Sequence, residues 1–344
     1  MDLLLIGGGV FLGSAVLDAA LPRGHRVTVF NRGRARSAWP EGVEVITGDR
    51  VADLGRLAGR RWDAVIDTCG YVPADVQASA AALRNACDAY LFVSSISAYA
   101  DTTEPMSDET QPVAAFDAIA PDDCDLRHYG PQKAACEAQV LQAFGPRALI
   151  VRPGLIVGPG DRSGRFSHWV WRSAEGGAML VPDVPPTQAL QFIDVRDLGA
   201  WMVHLLETGV RGAVDGSGPV GAAPIDWRDL IEACRAEAAA HGHAPADAVP
   251  VDEAFLMQHG VQPWSELPLW LPSIDPAYAG FNRTLTRAAG TGLRTRPLRE
   301  TVAAVLAEGV PPADDRRRAG KLTREREADL LAAWAAERTR GTAP

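Results

Sequence analysis

Lysine is almost missing from this chain. Only Lys133 and Lys321 are lysines among 34 Lys and Arg residues. Arginine carries most surface and ion-pair duties, so so skewed a composition keeps few places for a compact ammonium. Net positive charge is missing as well. The 34 basic residues face 43 acidic ones, a formal charge of -9, which argues against a nucleic-acid partner. Cysteine is scarce and scattered. Cys69, Cys87, Cys124, Cys136 and Cys234 are odd in number and lack Cys-x-x-Cys spacing. A disulfide framework or zinc site is therefore not expected, and a reducing cytoplasm is. His241 and His243 have no cysteine or clear carboxylate partner nearby and read as solvated surface, so no metal is expected. No apolar run approaches the ~18 residues of a membrane span. Met1 and Asp2 lead straight into Leu3–Ile6, with no basic stretch or cleavage site. Neither a membrane partner nor a signal peptide is expected.

What is present is alternation. Leu3–Ile6, Arg26–Phe30, Val43–Thr47, Ala64–Asp67, Tyr90–Ser94 and Leu149–Arg152 are short apolar runs bounded by Gly, Asp or Asn, and read as strands. Between them, Phe11–Leu21 and Pro73–Cys87 have helical spacing, and Gly24 closes the first helix. The pattern predicts an α/β fold, a Rossmann-type doubly wound parallel sheet over residues 1–155. Beyond 155, Pro and Trp become frequent and predict a smaller mixed lobe over 156–189 and 216–310. Phe192–Asp197 reads as a strand entering a helix, Leu198–Leu206, so 190–215 is expected to return to the sheet. Residues 311–344 read as a linker, Pro311–Lys321, and a final helix capped by Thr323 with Leu330, Leu331 and Trp334 on one side. That helix is expected to dock on its own subunit.

The first strand and helix are joined by Gly7-Gly8-Gly9-Val10-Phe11-Leu12-Gly13, where a dinucleotide pyrophosphate would meet the helix N-terminus. Val10 stands where the Gly-x-Gly-x-x-Gly register has its middle glycine. After the second strand, the acid expected for NAD ribose hydroxyls is absent. Asn31 can hydrogen-bond there, and Arg32 and Arg34 can pair with a 2′-phosphate, which favours NADP(H) and leaves NAD(H) possible. Asp49 can accept from an adenine amine or cap the following helix, and Arg50 follows it.

Tyr129 and Lys133 stand at i and i+4, on one face of a helix that Pro131 requires to begin near His128 to Gly130. A free phenol titrates near ~10. A neighbouring ammonium stabilises phenolate, so Tyr129 can exchange a proton with a substrate oxygen while hydride moves at carbon. Ser94 and Ser95 close the fifth strand, at the sheet edge where open α/β folds present ligands.

These pieces resemble the extended and atypical branches of the short-chain dehydrogenase/reductases, the NAD-dependent epimerase/dehydratase type, over about residues 1–310. The glycine turn, Phe92–Tyr99, Tyr129–Lys133, Val151–Gly154 with Val157–Asp161, and Phe192–Asp197 carry the resemblance in order. It implies a nicotinamide cofactor, Tyr129 as acid/base, Lys133 as its activator, Ser95 as ligand of the substrate oxygen, and Pro153 and Gly154 beside the nicotinamide. The run Asp67-Thr68-Cys69-Gly70-Tyr71 departs from the branch's His-Leu-Ala-Ala-like segment. Cys69 and Gly70 are expected on the cofactor and Tyr71 on the substrate. Ile96 and Ser97 replace the Asp-Glu pair of sugar-nucleotide dehydratases, so dehydration is not expected.

The favoured activity is a reductase or dehydrogenase acting on a small polar metabolite. Alternatives are a nucleotide-sugar epimerase with retained NAD and a non-catalytic nucleotide-binding or RNA-associated member. In the second lobe, Arg165, His168 and Trp169 are candidate substrate contacts, and Arg162, Arg165, Arg283, Arg294 and Arg296 could hold a diphosphate. The chain is expected to act as a monomer or a homodimer.

Overall fold

The computed structural model describes residues 1–34, 36, 38–275 and 282–341. Its strands in chain order are β1 (Asp2–Ile6), β2 (Arg26–Asn31), β3 (Glu44–Thr47), β4 (Trp62–Asp67), β5 (Cys87–Val93), β6 (Ala148–Pro153), β7 (Leu155–Val157), β8 (Ala178–Asp183), β9 (Phe192–Asp194), β10 (Gly212–Gly216) and β11 (Asp247–Asp252). The helices are α1 (Phe11–Ala20), α2 (Pro73–Leu83), α3 (Tyr129–Phe144), α4 (Arg165–Ala174), α5 (Val195–Glu207), α6 (Trp227–Ala240), α7 (Glu253–Gln258), α8 (Thr286–Gly290), α9 (Leu298–Leu306) and α10 (Arg324–Gly341).

Two compact units emerge: 1–156, 191–222 and 280–295 form the first, and 157–190, 223–279 and 296–344 the second. The first is a parallel sheet of seven strands ordered β10-β6-β5-β4-β1-β2-β3. Leu3 pairs with Val27 on one side and Ala64 on the other, so the strand order reverses between β1 and β4, the place where such sheets hold ligands. Successive β1 residues face opposite cores. Leu3 and Leu5 pack with α1 and α5, and Leu4 and Ile6 join the cluster containing Val76, Val140 and Phe144 from α2 and α3. Burial on both faces is why β1 is continuously apolar rather than alternating. α1 and α5 touch through Gly199, where a Cβ would lie 2.7 Å from the Ala15 carbonyl carbon.

Two elements differ from the sequence reading. The helix from Pro73 stops at Leu83, and Cys87 opens β5 because it pairs with Trp62 and is buried in the sheet core. Residues 216–222 and 282–295, read as part of the second lobe, fall in the first unit, where Arg283 makes a buried ion pair with Asp215.

The second unit contains the parallel pair β8–β11 and the helices α4, α6, α7, α9 and α10. α4 is buried from Phe166 to Ala174. The C-terminal helix docks on this unit: Glu327 pairs with Arg172 of α4 at 2.9 Å, and Trp334 Nε1 donates to the Pro250 carbonyl at 3.1 Å. Thr323 Oγ1 accepts from Arg326 N–H at the start of α10. All five cysteines are free. Among the described residues no helix is long and apolar enough to cross a membrane, and no group of three or more His, Cys, Asp or Glu could hold a metal ion.

Candidate active site

The glycine turn is a cradle of bare backbone. Gly7 and Gly8 adopt φ of 111° and 76°, the left-handed half of backbone space that side chains disfavour. A Cβ on Gly7 would lie 2.4 Å from Thr68 Oγ1, and one on Gly13 would lie 2.6 Å from the Gly8 backbone. Val10 gives α1 no side-chain cap, and of its first amides Gly13 N–H is taken by the Val10 carbonyl at 3.1 Å. Val10 is 39% exposed at that helix start, and Leu12 is buried beneath it. Phe11 has a positive φ of 44°. These features fit a dinucleotide pyrophosphate: donors without side chains, at a helix N-terminus, at the switch point of the sheet.

The residues around the turn divide into bound and open groups. Asn31 is held by the fold: Nδ2 donates to the Gly7 carbonyl at 2.9 Å, and Oδ1 accepts from Gly33 N–H. Arg32 and Arg34 are exposed beyond it. Asp49 accepts from Val51 N–H at 2.8 Å, closing its own turn. Arg50 is directed inward, with a bidentate pair to Asp67 at 3.0 and 2.9 Å and a bond to Ser79 Oγ at 2.7 Å. Tyr90 Oη and Cys69 N–H also donate to Asp67. Burial opposes the Asp67 charge, but Arg50 and these donors outweigh it and hold the carboxyl below the usual carboxylate value. Burial pushes the Cys69 thiol up to about 11, which keeps it protonated.

Lys133 is 3% exposed. Its Nζ donates to the carbonyls of Gly70 at 2.7 Å and Val93 at 2.8 Å, and lies 4.8 Å from the ring centroids of Tyr71 and Phe92. Burial lowers it to about 8, well below an ordinary lysine. The ammonium thus bridges the ends of β4 and β5. Tyr129 opens α3 one turn earlier and is partly exposed. Asp123 steadies that first turn, accepting from Gln132 Nε2 at 3.0 Å and pairing with His128 at 2.7 Å. Tyr71 is 52% exposed. Desolvation, then the neighbouring Tyr129, raise its phenol to about 12.

Ser95 begins the turn after β5, and its Oγ accepts from Ser97 N–H at 3.1 Å. Ser94 is 3% exposed, and among the described residues its hydroxyl meets no hydrogen-bond partner. Gly130 brings α3 against this turn, for a Cβ there would lie 2.3 Å from the Ser97 carbonyl oxygen. Pro153 ends β6, and Gly154 N–H donates to Gly216 at 3.0 Å.

In the second unit, Arg165 donates to Ser163 Oγ at 3.0 Å. Trp169 is a core residue, fully enclosed, with its indole N–H on the Pro268 carbonyl at 2.7 Å and an edge contact to Trp227. His168 is buried too. Desolvation, with Lys321 and Arg318 nearby, pushes it down to about 3, so the imidazole is neutral. Arg283, a diphosphate candidate in the sequence, is instead 1% exposed and engaged with Asp215. Sequence reasoning missed Asp67, Glu137, Asp215 and Gly130. The first three had a signal: a carboxylate in a buried element requires a partner.

A parallel sheet with a bare glycine turn at its switch point defines a nucleotide-binding Rossmann protein. Residues 3–217 match the NAD dependent epimerase/dehydratase family, and the chain belongs to that family. It is 27% identical over 240 residues to the bovine epimerase family protein SDR39U1, covering 63% of this chain and 74% of that one. It is 29% identical over 248 residues to 2-alkyl-3-oxoalkanoate reductase of Stenotrophomonas maltophilia (strain K279a), covering 67% and 74%. The fold matches the Bordetella bronchiseptica enzyme WbmH in complex with NAD+, at TM-score 0.62 and 17% identity, over 90% of this chain and 99% of that chain. It also matches human SDR39U1 (isoform 2) with NADPH, at TM-score 0.54 and 18% identity, over 90% and 100%. At these identities the structural likeness is one of fold.

Proposed function

We propose that this protein is an NADP(H)-preferring oxidoreductase acting on a secondary alcohol or ketone of a small polar metabolite. The observation that carries the reading is the Lys133 ammonium, buried one helical turn after Tyr129 and donating to the Gly70 and Val93 carbonyls at the sheet's ligand edge. The dinucleotide supplies or accepts the hydride when bound to the glycine turn. In carbonyl reduction, Tyr129 gives its phenolic proton to the substrate oxygen, and the Ser95 hydroxyl donates a hydrogen bond to the same oxygen. The Lys133 ammonium stabilises the phenolate left behind, which water reprotonates. Oxidation runs these steps in reverse. Exposed Arg32 and Arg34 supply charge for a 2′-phosphate. The NADPH in the human SDR39U1 structure and the reductase among the relatives support the same reading.

Separate titrations of NADPH and NADH test the cofactor, with Arg32→Ala expected to weaken NADPH selectively. Tyr129→Phe tests the chemistry: intact turnover in that variant removes Tyr129 as acid/base. A second reading, a nucleotide-sugar epimerase, is favoured by the fold match to Thermus thermophilus UDP-glucose 4-epimerase with NAD, at TM-score 0.62. Protein that purifies with bound NAD and needs no added cofactor would favour that reading.

A further inference from the structure

The stretch between Ser95 and Tyr129 contains nothing longer than a three-residue turn of helix, yet it is firmly tethered. It folds back on itself through Ala100 N–H to the Pro112 carbonyl at 2.9 Å and Ala114 N–H to the Ala98 carbonyl at 2.7 Å. Its tip is clasped from far along the chain. Met106 N–H donates to the Asn282 carbonyl and Thr284 N–H to the Ser107 carbonyl, both at 2.9 Å.

Arg283 lies between those two bonds. Nε donates to Asp215 Oδ2 at 3.0 Å, Nη1 to Gln111 Oε1 at 2.6 Å, and Nη2 to the Asp108 carbonyl at 2.6 Å. The guanidinium sits 3.7 Å from the Tyr99 ring centroid, and the Tyr99 hydroxyl donates to the other Asp215 oxygen at 2.7 Å. Asp215 N–H returns a bond to Glu109 Oε1 at 2.9 Å. Arg152 lies 4.6 Å from the same Tyr99 ring and makes a bidentate pair with Glu137 of α3, one turn beyond Lys133. Contacts therefore run unbroken from the tip, through Arg283, Asp215, Tyr99 and Arg152, to the helix that carries Tyr129 and Lys133.

We propose that Arg283 is a positioning residue: it fixes the 106–111 tip to β10 and the Tyr99 ring, and so sets where the chain re-enters α3 at Tyr129 relative to Ser95. This rests on the roles given to Ser95 and Tyr129 above. Three donors in one plane reach three acceptors, a geometry that a lysine ammonium lacks.

Three measurements on the full chain test it: amide hydrogen exchange, NADPH binding by fluorescence, and carbonyl reduction with NADPH. In Arg283→Lys, exchange at Met106, Ala114 and Thr284 should quicken, and kcat should fall by about tenfold or more, as for a small misplacement of reacting groups. NADPH affinity and the KM for NADPH should stay within about twofold, since the glycine turn is untouched. Gln111→Ala, which keeps the buried ion pair, should move exchange and kcat in the same direction but less. Unchanged exchange in both variants overturns the proposal, and so does faster exchange with unchanged kcat. If Arg283→Lys fails to fold, Gln111→Ala decides alone. A wild-type chain that reduces no carbonyl while binding NADPH would sink the oxidoreductase reading, and exchange would then decide the anchoring by itself.

Discussion

Gly130 and Ser97 are in backbone contact: a Cβ on Gly130 would lie 2.3 Å from the Ser97 carbonyl oxygen. This approach seats the first turn of α3 on the turn that follows Ser95. Gly130→Ala forces the two apart, and the clashing atom is backbone rather than a movable side-chain tip. Turnover is expected to fall about 10- to 100-fold, because the acid/base and the substrate-oxygen ligand lose register. NADPH affinity should change little. Steady-state kinetics beside a binding titration check the split, and a variant with wild-type kcat would refute it.

Lys133→Met removes the ammonium but keeps an unbranched side chain between the Tyr71 and Phe92 rings. Carbonyl reduction should drop by about 10²-fold or more, within the range seen for losing acid–base assistance. Lys133→Arg should not restore it, since the larger planar group cannot reproduce one nitrogen bonded to both Gly70 and Val93. Burial lowers Lys133 to about 8, so its charge is present below that pH and lost as pH rises through it. The wild-type rate of carbonyl reduction should decline on the alkaline side near there. That limb should be missing from the residual activity of Lys133→Met.

His168 predicts an acid sensitivity of the second unit. Its folded value is pushed down to about 3, whereas an unfolded histidine titrates near the ordinary 6.5. As pH falls below 6.5 the unfolded chain takes up a proton that the folded chain refuses. Stability is therefore full above pH 6.5 and is lost as pH falls toward 3, by up to roughly 1.4 kcal/mol per pH unit. His168→Phe should flatten the difference between urea unfolding at pH 7 and at pH 4.5. An unaltered pH slope in that variant would remove His168 as its source.

Glu327 ties the C-terminal helix to the interior of its unit, accepting from Arg172 Nε at 2.9 Å, Leu180 N–H at 2.9 Å and Arg324 Nη1 at 2.6 Å. Glu327→Ala removes the counter-charge of the buried Arg172 guanidinium, leaving it on the Gly176 and Ala178 carbonyls, and should cost up to about 3–5 kcal/mol. Glu327→Gln, which keeps an acceptor for Leu180, should cost less. Denaturant melts of the three proteins decide it, and equal midpoints would contradict the assignment.

Much of the sheet is legible in the sequence because most strands are short apolar runs ended by Gly, Asp or Asn, β5 running instead into Ser94-Ser95, and the glycine turn announces itself by position. The pair Tyr129 and Lys133 is legible because helical spacing is local. What stays hidden is the pairing of distant charges. Asp215 in Gly212–Gly216 and Asp67 at the end of β4 stand in buried strands and so demand partners, but nothing local says that these are Arg283 and Arg50. The Asn31 amide is equally opaque. It can reach a ribose on paper, and in the fold it holds the Gly7 carbonyl. Gly130 looks like a spacer until the Ser97 carbonyl is beside it.

The chain order of the first unit has a consequence for its biogenesis. All seven strands of the main sheet are complete by Gly216, and the family match ends at residue 217. The counter-charge for Asp215 arrives only with Arg283. A nascent chain leaving the ribosome therefore holds every strand before it holds the cation that makes the last one comfortable. Strand β10 should lock into place late, once the residues around Arg283 have emerged. In a fragment cut at residue 222 the amides of β10 should exchange faster than in the full chain, because Asp215 lacks its counter-charge there.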